Sequence, residues 1–185
     1  MAKEFTEIGA ALAGWLRSQP MFFVATAPSD SDGHINVSPK GLDGTFAILD
    51  ERRVAYLDLT GSGIETVAHL RDNGRIVMMF CAFSGPPRIV RLHGRGTSVA
   101  ATDAGFTAAV APFPSPIPPG ARSVVEIEVT RISDSCGFGV PIMNLVGQRP
   151  TLADWAARKT PDGIADYQAT RNRVSVDGLP GLTGG

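Results

Sequence analysis

The sequence predicts a mainly β protein with flanking helices, folded as an antiparallel barrel that is closed or nearly closed. Six or seven short apolar runs are spaced as hairpins, and few helical stretches separate them, which argues against a doubly wound sheet. At 185 residues, with 43% apolar and 19% charged, the chain suits one soluble domain with a single sizeable core.

The elements follow in order. Phe5, Ile8, Leu12, Trp15 and Leu16 recur at three- and four-residue steps, the stripe of an amphipathic helix. Met21 to Ala27 is β-rich; the turn cluster Pro28 to Gly33 and the run His34 to Ser38 complete a hairpin. Phe46 to Leu49 and Val54 to Leu59 are the next strands, joined at Asp50-Glu51-Arg52. Ser62 with Glu65 has capping-box spacing ahead of Ile64, Val67 and Ala68, and Asn73-Gly74 ends that helix.

Arg75 to Phe83 is apolar on both faces, which predicts a central strand. Arg88 to Ala100 alternates and carries Arg91, His93 and Arg95 on one face, with Gly94 and Gly96 suited to a bulge or barrel corner. That basic row would face a phosphate, or pair across strands with Glu126 and Glu128, since Ser123 to Arg131 alternates too. Thr102 to Ala111 reads as a short helix, and Pro112 to Pro119, five prolines in eight residues, as a rigid loop. Cys136-Gly137-Phe138-Gly139 reads as a turn. From about residue 150 the chain changes to a helical extension of the same domain: Thr151 with Asp154 caps one helix, Thr160-Pro161 opens another reaching about Asn172, and Gly178 to Gly185 reads as a loose tail.

A formal charge of -1, with no run of five like charges, offers no field for nucleic acid or an anionic membrane and points to a small-molecule partner. Ile8 to Leu16 lacks the flanking charge and cleavage pattern of a secretory leader, and no apolar run has the length of a membrane span. Cys81 and Cys136 are too few for a disulfide framework, so free thiols and a cytoplasmic location are expected. His34, His69 and His93 lack metal-ligand spacing, and no Gly-x-Ser-x-Gly elbow occurs.

Gly61-Ser62-Gly63-Ile64-Glu65-Thr66 follows a strand and opens a helix, but it lacks the last glycine and the βαβ setting of a dinucleotide fingerprint. It still offers helix-start N–H groups and the hydroxyls of Thr60, Ser62 and Thr66, which suit a phosphate, or it merely caps the helix. Asp166, Arg171, Asn172 and Arg173 read as a surface salt-bridge face.

Asn36-Val37-Ser38-Pro39-Lys40-Gly41, then the Val54 strand, then the Thr60 helix start, resembles the pyridoxamine phosphate oxidase family of flavoproteins in order and character over about residues 20 to 100. Asn73-Gly74-Arg75-Ile76 and Arg88-Ile89-Val90-Arg91-Leu92-His93-Gly94 add to the likeness. The resemblance implies an antiparallel split β-barrel, homodimeric, with FMN at the subunit interface. It places Asn36, Val37 and Ser38 beside the flavin ring, with Lys40 supplying positive charge. It sets Thr60, Ser62, Gly63 and Thr66 near the ribityl phosphate, and Arg88 within reach of the cofactor from its strand or from the partner subunit.

Where the family often has Ser-Arg-Lys at the helix start, this chain has Ile64-Glu65-Thr66. Either Lys40 with one or more of Arg88, Arg91 and Arg95 replaces those cations, or the barrel takes another ligand or none. The family's closing tryptophan and arginine pattern is absent from Gln168 to Gly185, so vitamin B6 oxidation is not implied. An FMN-dependent oxidoreductase acting on a small molecule is the leading expectation. A deazaflavin or haem in the same fold, or a non-catalytic flavin sensor, are the alternatives.

Overall fold

The computed structural model describes residues 3–182. Its strands are β1 Lys3–Phe5, β2 Phe22–Thr26, β3 Asn36–Lys40, β4 Phe46–Ile48, β5 Arg53–Leu59, β6 Arg75–Cys81, β7 Ile89–Ala100 and β8 Ala121–Ser135. They form one antiparallel sheet in the order β3-β2-β6-β7-β8-β5-β4, with β1 paired to the C-terminal end of β8. Phe22 of β2 meets Phe46 of β4 and Tyr56 of β5 at ring-centroid distances of 5.5 and 5.8 Å. Strands from opposite ends of the order thus touch, and the sheet curls into an antiparallel split barrel, as predicted.

The helices are α1 Ala10–Arg17, α2 Glu65–Asn73, α3 Phe106–Val110, α4 Thr151–Ala157 and α5 Pro161–Arg171. Val24, Tyr56, Met78, Phe80, Leu92 and Ile127 fill the barrel, and Leu12 and Leu16 of α1 pack into the same cluster. On the other side of β5 and β8, Ala55, Leu57 and Val124 meet Ala109 of α3 and Phe113 of the proline loop. None of the helices among the described residues is long and apolar enough to cross a membrane. Cys81 and Cys136 are both unpaired thiols.

Several elements differ from the sequence reading, each for a local reason. The first helix begins at Ala10, because Gly9 is extended; Phe5 pairs as strand with Ile132, and Ile8 is buried ahead of the helix. The second strand of the first hairpin is Asn36–Lys40, not His34 to Ser38, since the His34 backbone is held by Asp177 instead. The Ser62–Glu65 capping box does not form: Ile64 is the N-cap of α2 and makes no side-chain cap bond. Pro150 likewise precedes α4 without a side-chain cap, whereas Thr160 caps α5 by accepting from Gly163 N.

β6 lies inside the sheet, between β2 and β7, as expected, but its Val77 and Met79 face is only half-buried. Of the basic row, only Arg95 has a glutamate as its cross-strand neighbour. A bulge between His93 and Gly94 shifts the register, so Arg91 faces Ser133 and His93 faces Arg131. Arg95 does face Glu128, but its guanidinium donates to Asn73 O at 2.5 Å. The bulge requires glycine at 94, where a Cβ would collide with Glu128 O. The tail is not loose over its described part: Gly181 N and Leu182 N bond Arg173 O and Asn172 O at 2.8 and 2.9 Å. The remainder of that predicted tail lies outside the described residues.

Candidate functional site

β5 reads Arg-Val-Ala-Tyr-Leu-Asp-Leu, and Asp58 sits among its buried apolar residues with 1% exposure. A carboxylate so placed needs partners, because an isolated buried charge is very costly. It has two. Lys40 Nζ, from β3, lies 2.8 Å from Oδ1; Arg122 Nε, from β8, lies 2.7 Å from Oδ2.

The register puts Arg122 there. Asp58 pairs with Ser123 and Leu59 with Ala121, so Arg122 is the extra residue of a bulge, its side chain turned toward the carboxylate and only 6% exposed. Burial pushes the Asp58 carboxyl up, but the two cations outweigh burial and hold it below the usual aspartate range.

Beside this triad lies a pocket lined by Ser38, Lys40, Gly61, Gly63, Glu65, Thr66 and Arg122, with a volume of about 140 Å³. Its wall is one polar network. Asn36 Nδ2 donates to Thr66 Oγ1 at 3.0 Å, and Ser38 Oγ donates to Asn36 Oδ1 at 3.1 Å. Behind it, Thr26 Oγ1 is 2.9 Å from Nδ1 of the fully buried His69.

The loop ahead of α2 is fixed from below: Thr60 Oγ1 donates to Gly120 O at 2.7 Å and accepts from Gln168 Nε2 at 2.8 Å. Asn172 Nδ2 donates to Gly61 O at 2.9 Å, so Asn172 is a buried tether rather than part of a surface face. Two cations on one carboxylate leave one positive charge in excess, set against the Glu65 carboxylate of the same lining, beside two hydroxyls, loop glycines and a helix start. That donor set fits a phosphate group.

The structure thus gathers Asn36, Ser38, Lys40, Gly63 and Thr66 of the predicted residues. Thr60 supports the loop with a hydroxyl already engaged on both sides. Ser62 is exposed and outside the pocket lining, and Val37 points outward at 60% exposure. Arg88 is not gathered within the chain: it pairs with Asp134 at 2.8 Å and lies 4.6 Å over the Trp15 ring. Sequence reading missed Asp58, Arg122, Glu65, Gln168 and Asn172. The available signal was a lone acid inside an apolar strand and a lone arginine at the start of another.

The description "Pyridoxamine 5'-phosphate oxidase" matches residues 8–136. The chain belongs to the pyridoxamine 5'-phosphate oxidase family. A curated relative, the pyridoxamine 5'-phosphate oxidase family protein ustO of Aspergillus flavus, is 42% identical over 185 residues, covering 92% of this chain and 74% of its own length.

Among solved structures, a variant of HupZ from Group A Streptococcus superposes with a TM-score of 0.51 at 22% identity, covering 69% of this chain and 99% of that one. The FAD binding protein of Mycobacterium smegmatis aligns at 17% identity and a TM-score of 0.47, covering 70% of this chain and 96% of its own. At such identity the HupZ likeness speaks to the fold alone. Within the pyridoxamine 5'-phosphate oxidase frame, the matched segment contains every residue of the pocket lining, Arg122 included.

Proposed function

We infer that this chain is an FMN-binding flavoprotein that acts as an FMN-dependent oxidoreductase on a small molecule. The observation that carries this reading is the Lys40–Asp58–Arg122 triad, which supplies cationic charge at the pocket although the helix start has none. Family membership supports a flavin in that pocket.

In this reading Lys40 and Arg122 bind the phosphate end, Thr66, whose oxygen accepts from Asn36, adds a hydroxyl donor, and Gly61 and Gly63 let backbone approach it closely. Asn36 orients the Thr66 and Ser38 hydroxyls. Bound FMN would supply hydride or electron transfer at its N5, and the protein contributes position, charge and access.

The working form is a homodimer with the cofactor at the subunit interface. Support comes from apolar surface left uncovered in one copy: the half-buried Phe23, Val77 and Met79 face, and an extended segment in which Phe138, Ile142 and Val146 are 82%, 85% and 100% exposed.

The test is the absorption spectrum of freshly purified protein, with mass identification of anything released on heating and light scattering for the assembly. A yellow dimer that releases FMN, and whose flavin is reduced by NADH or NADPH and reoxidised by an acceptor, is the expected result. Protein that stays colourless with added FMN sinks the reading. A monomer at micromolar concentration sinks the interface.

A further inference from the structure

The pocket contains an acid as well as cations, and the loop sets the acid's position. Glu65 opens α2, a nine-residue helix, and its carboxylate folds back over Gly63, where an added Cβ would collide with Glu65 Oε2. Glu65 therefore lines the same space as Lys40 and Arg122.

The charges decide what fits. Lys40 and Arg122 against Asp58 leave one positive charge, and Glu65 cancels it. The helix start adds only about half a charge. A phosphomonoester brings about 1.5 to 2 negative charges at pH 7, and its second charge would meet the Glu65 carboxylate with no cation left to offset it. A phosphodiester, with a single charge, meets half the repulsion from Glu65 and is largely offset by the helix start and the donors of Lys40 and Arg122.

We propose that Glu65 is a specificity-determining residue of this pocket, selecting a singly charged phosphodiester over a doubly charged phosphomonoester. The proposal rests on the reading of the pocket as a flavin phosphate site. It means that, with Glu65 present, the phosphate of FMN is held less tightly than Lys40 and Arg122 alone would hold it, and that a flavin-type ligand carrying a diester is held at least as well.

The experiment uses the full chain freed of bound flavin, its E65Q variant and, should E65Q fold poorly, E65A. Each is titrated at pH 7.5 by fluorescence quenching with riboflavin, FMN and riboflavin 4',5'-cyclic phosphate, which share one ring system and differ in phosphate charge. E65Q is expected to tighten FMN about tenfold or more, the cyclic diester by a clearly smaller factor, and riboflavin not at all.

Equal tightening of FMN and the diester, or unchanged FMN affinity, overturns selection by Glu65 while leaving the flavin site standing. Failure of all three to bind the wild-type chain overturns the flavin reading, and the role of Glu65 with it.

Discussion

Lys40 Nζ and Asp58 Oδ1, 2.8 Å apart, join β3 to β5, two strands that share no ladder in the sheet. The second oxygen of the same carboxylate holds Arg122, from β8, at 2.7 Å. One buried acid therefore bridges the split in the barrel and also orients both cations of the pocket. Fold and site meet in a single group, so their stability and binding effects should be linked.

Replacing Asp58 tests that link. D58A leaves Lys40 and the buried Arg122 without a counter-charge, and breaking such a buried pair costs roughly 3–5 kcal/mol, measurable by urea unfolding. The pH dependence has a definite sign. The folded carboxyl titrates below the ordinary aspartate value of 3.8, so its stabilisation is present above that value and is lost as pH falls through the lower folded one. The stability gap between wild type and D58N should therefore close as the pH drops below about 4. A gap that is the same at pH 3 as at pH 7 contradicts the ion pair.

Two arginines separate the pocket from the rest of the molecule. R122A removes a guanidinium that lines the pocket and should weaken FMN binding by about 10- to 100-fold. R88A disturbs the Asp134 pair and the packing on Trp15 and Phe5, and should leave FMN affinity within about twofold. Fluorescence titration of both variants checks this. A large loss in R88A would mean that Arg88 reaches the cofactor from the partner subunit.

The sequence disclosed the barrel through hairpin spacing and strand alternation, which are local patterns. That Asn36, Ser38, Lys40, Gly63 and Thr66 belong together was legible because they lie in two short runs on either side of β4 and β5. Arg122 lies 64 residues from Asp58, and only a bulge turns it toward the acid; no local pattern encodes that. Within one chain Arg88 bonds Asp134, 46 residues away, a pairing that no local pattern encodes either. The capping box failed because Glu65 turns back over Gly63 instead of bonding Ser62.

His69 gives the chain an acid-side weakness unrelated to Asp58. The ring is fully buried, and burial holds its pKa below the ordinary 6.5 against the pull of Asp177, Glu65 and Asp72. The unfolded chain therefore takes up a proton first, and stability falls as pH drops below about 6.5. His93 is shifted the same way, so the comparison must be with H69N, which keeps a polar partner for Thr26. H69N should lose less stability than wild type between pH 7.5 and pH 5. Equal losses would show that the His69 ring is not protonated on unfolding.

The C-terminal helix should matter to the pocket although it contributes no lining residue. Gln168 bonds Thr60 Oγ1, and Asn172 bonds Gly61 O, which also receives Arg122 Nη1 at 3.4 Å. Q168A removes one half-buried bond and should cost about 1 kcal/mol of stability. N172A removes a fully buried side chain whose Oδ1 has no partner, leaving Gly61 O to Arg122 alone. Because Gly61 itself lines the pocket, its release loosens the backbone that must approach the phosphate. N172A should therefore weaken FMN by about tenfold while riboflavin, which lacks the phosphate, changes little. Parallel losses for both ligands would mean that Asn172 acts on the fold as a whole and not on the loop.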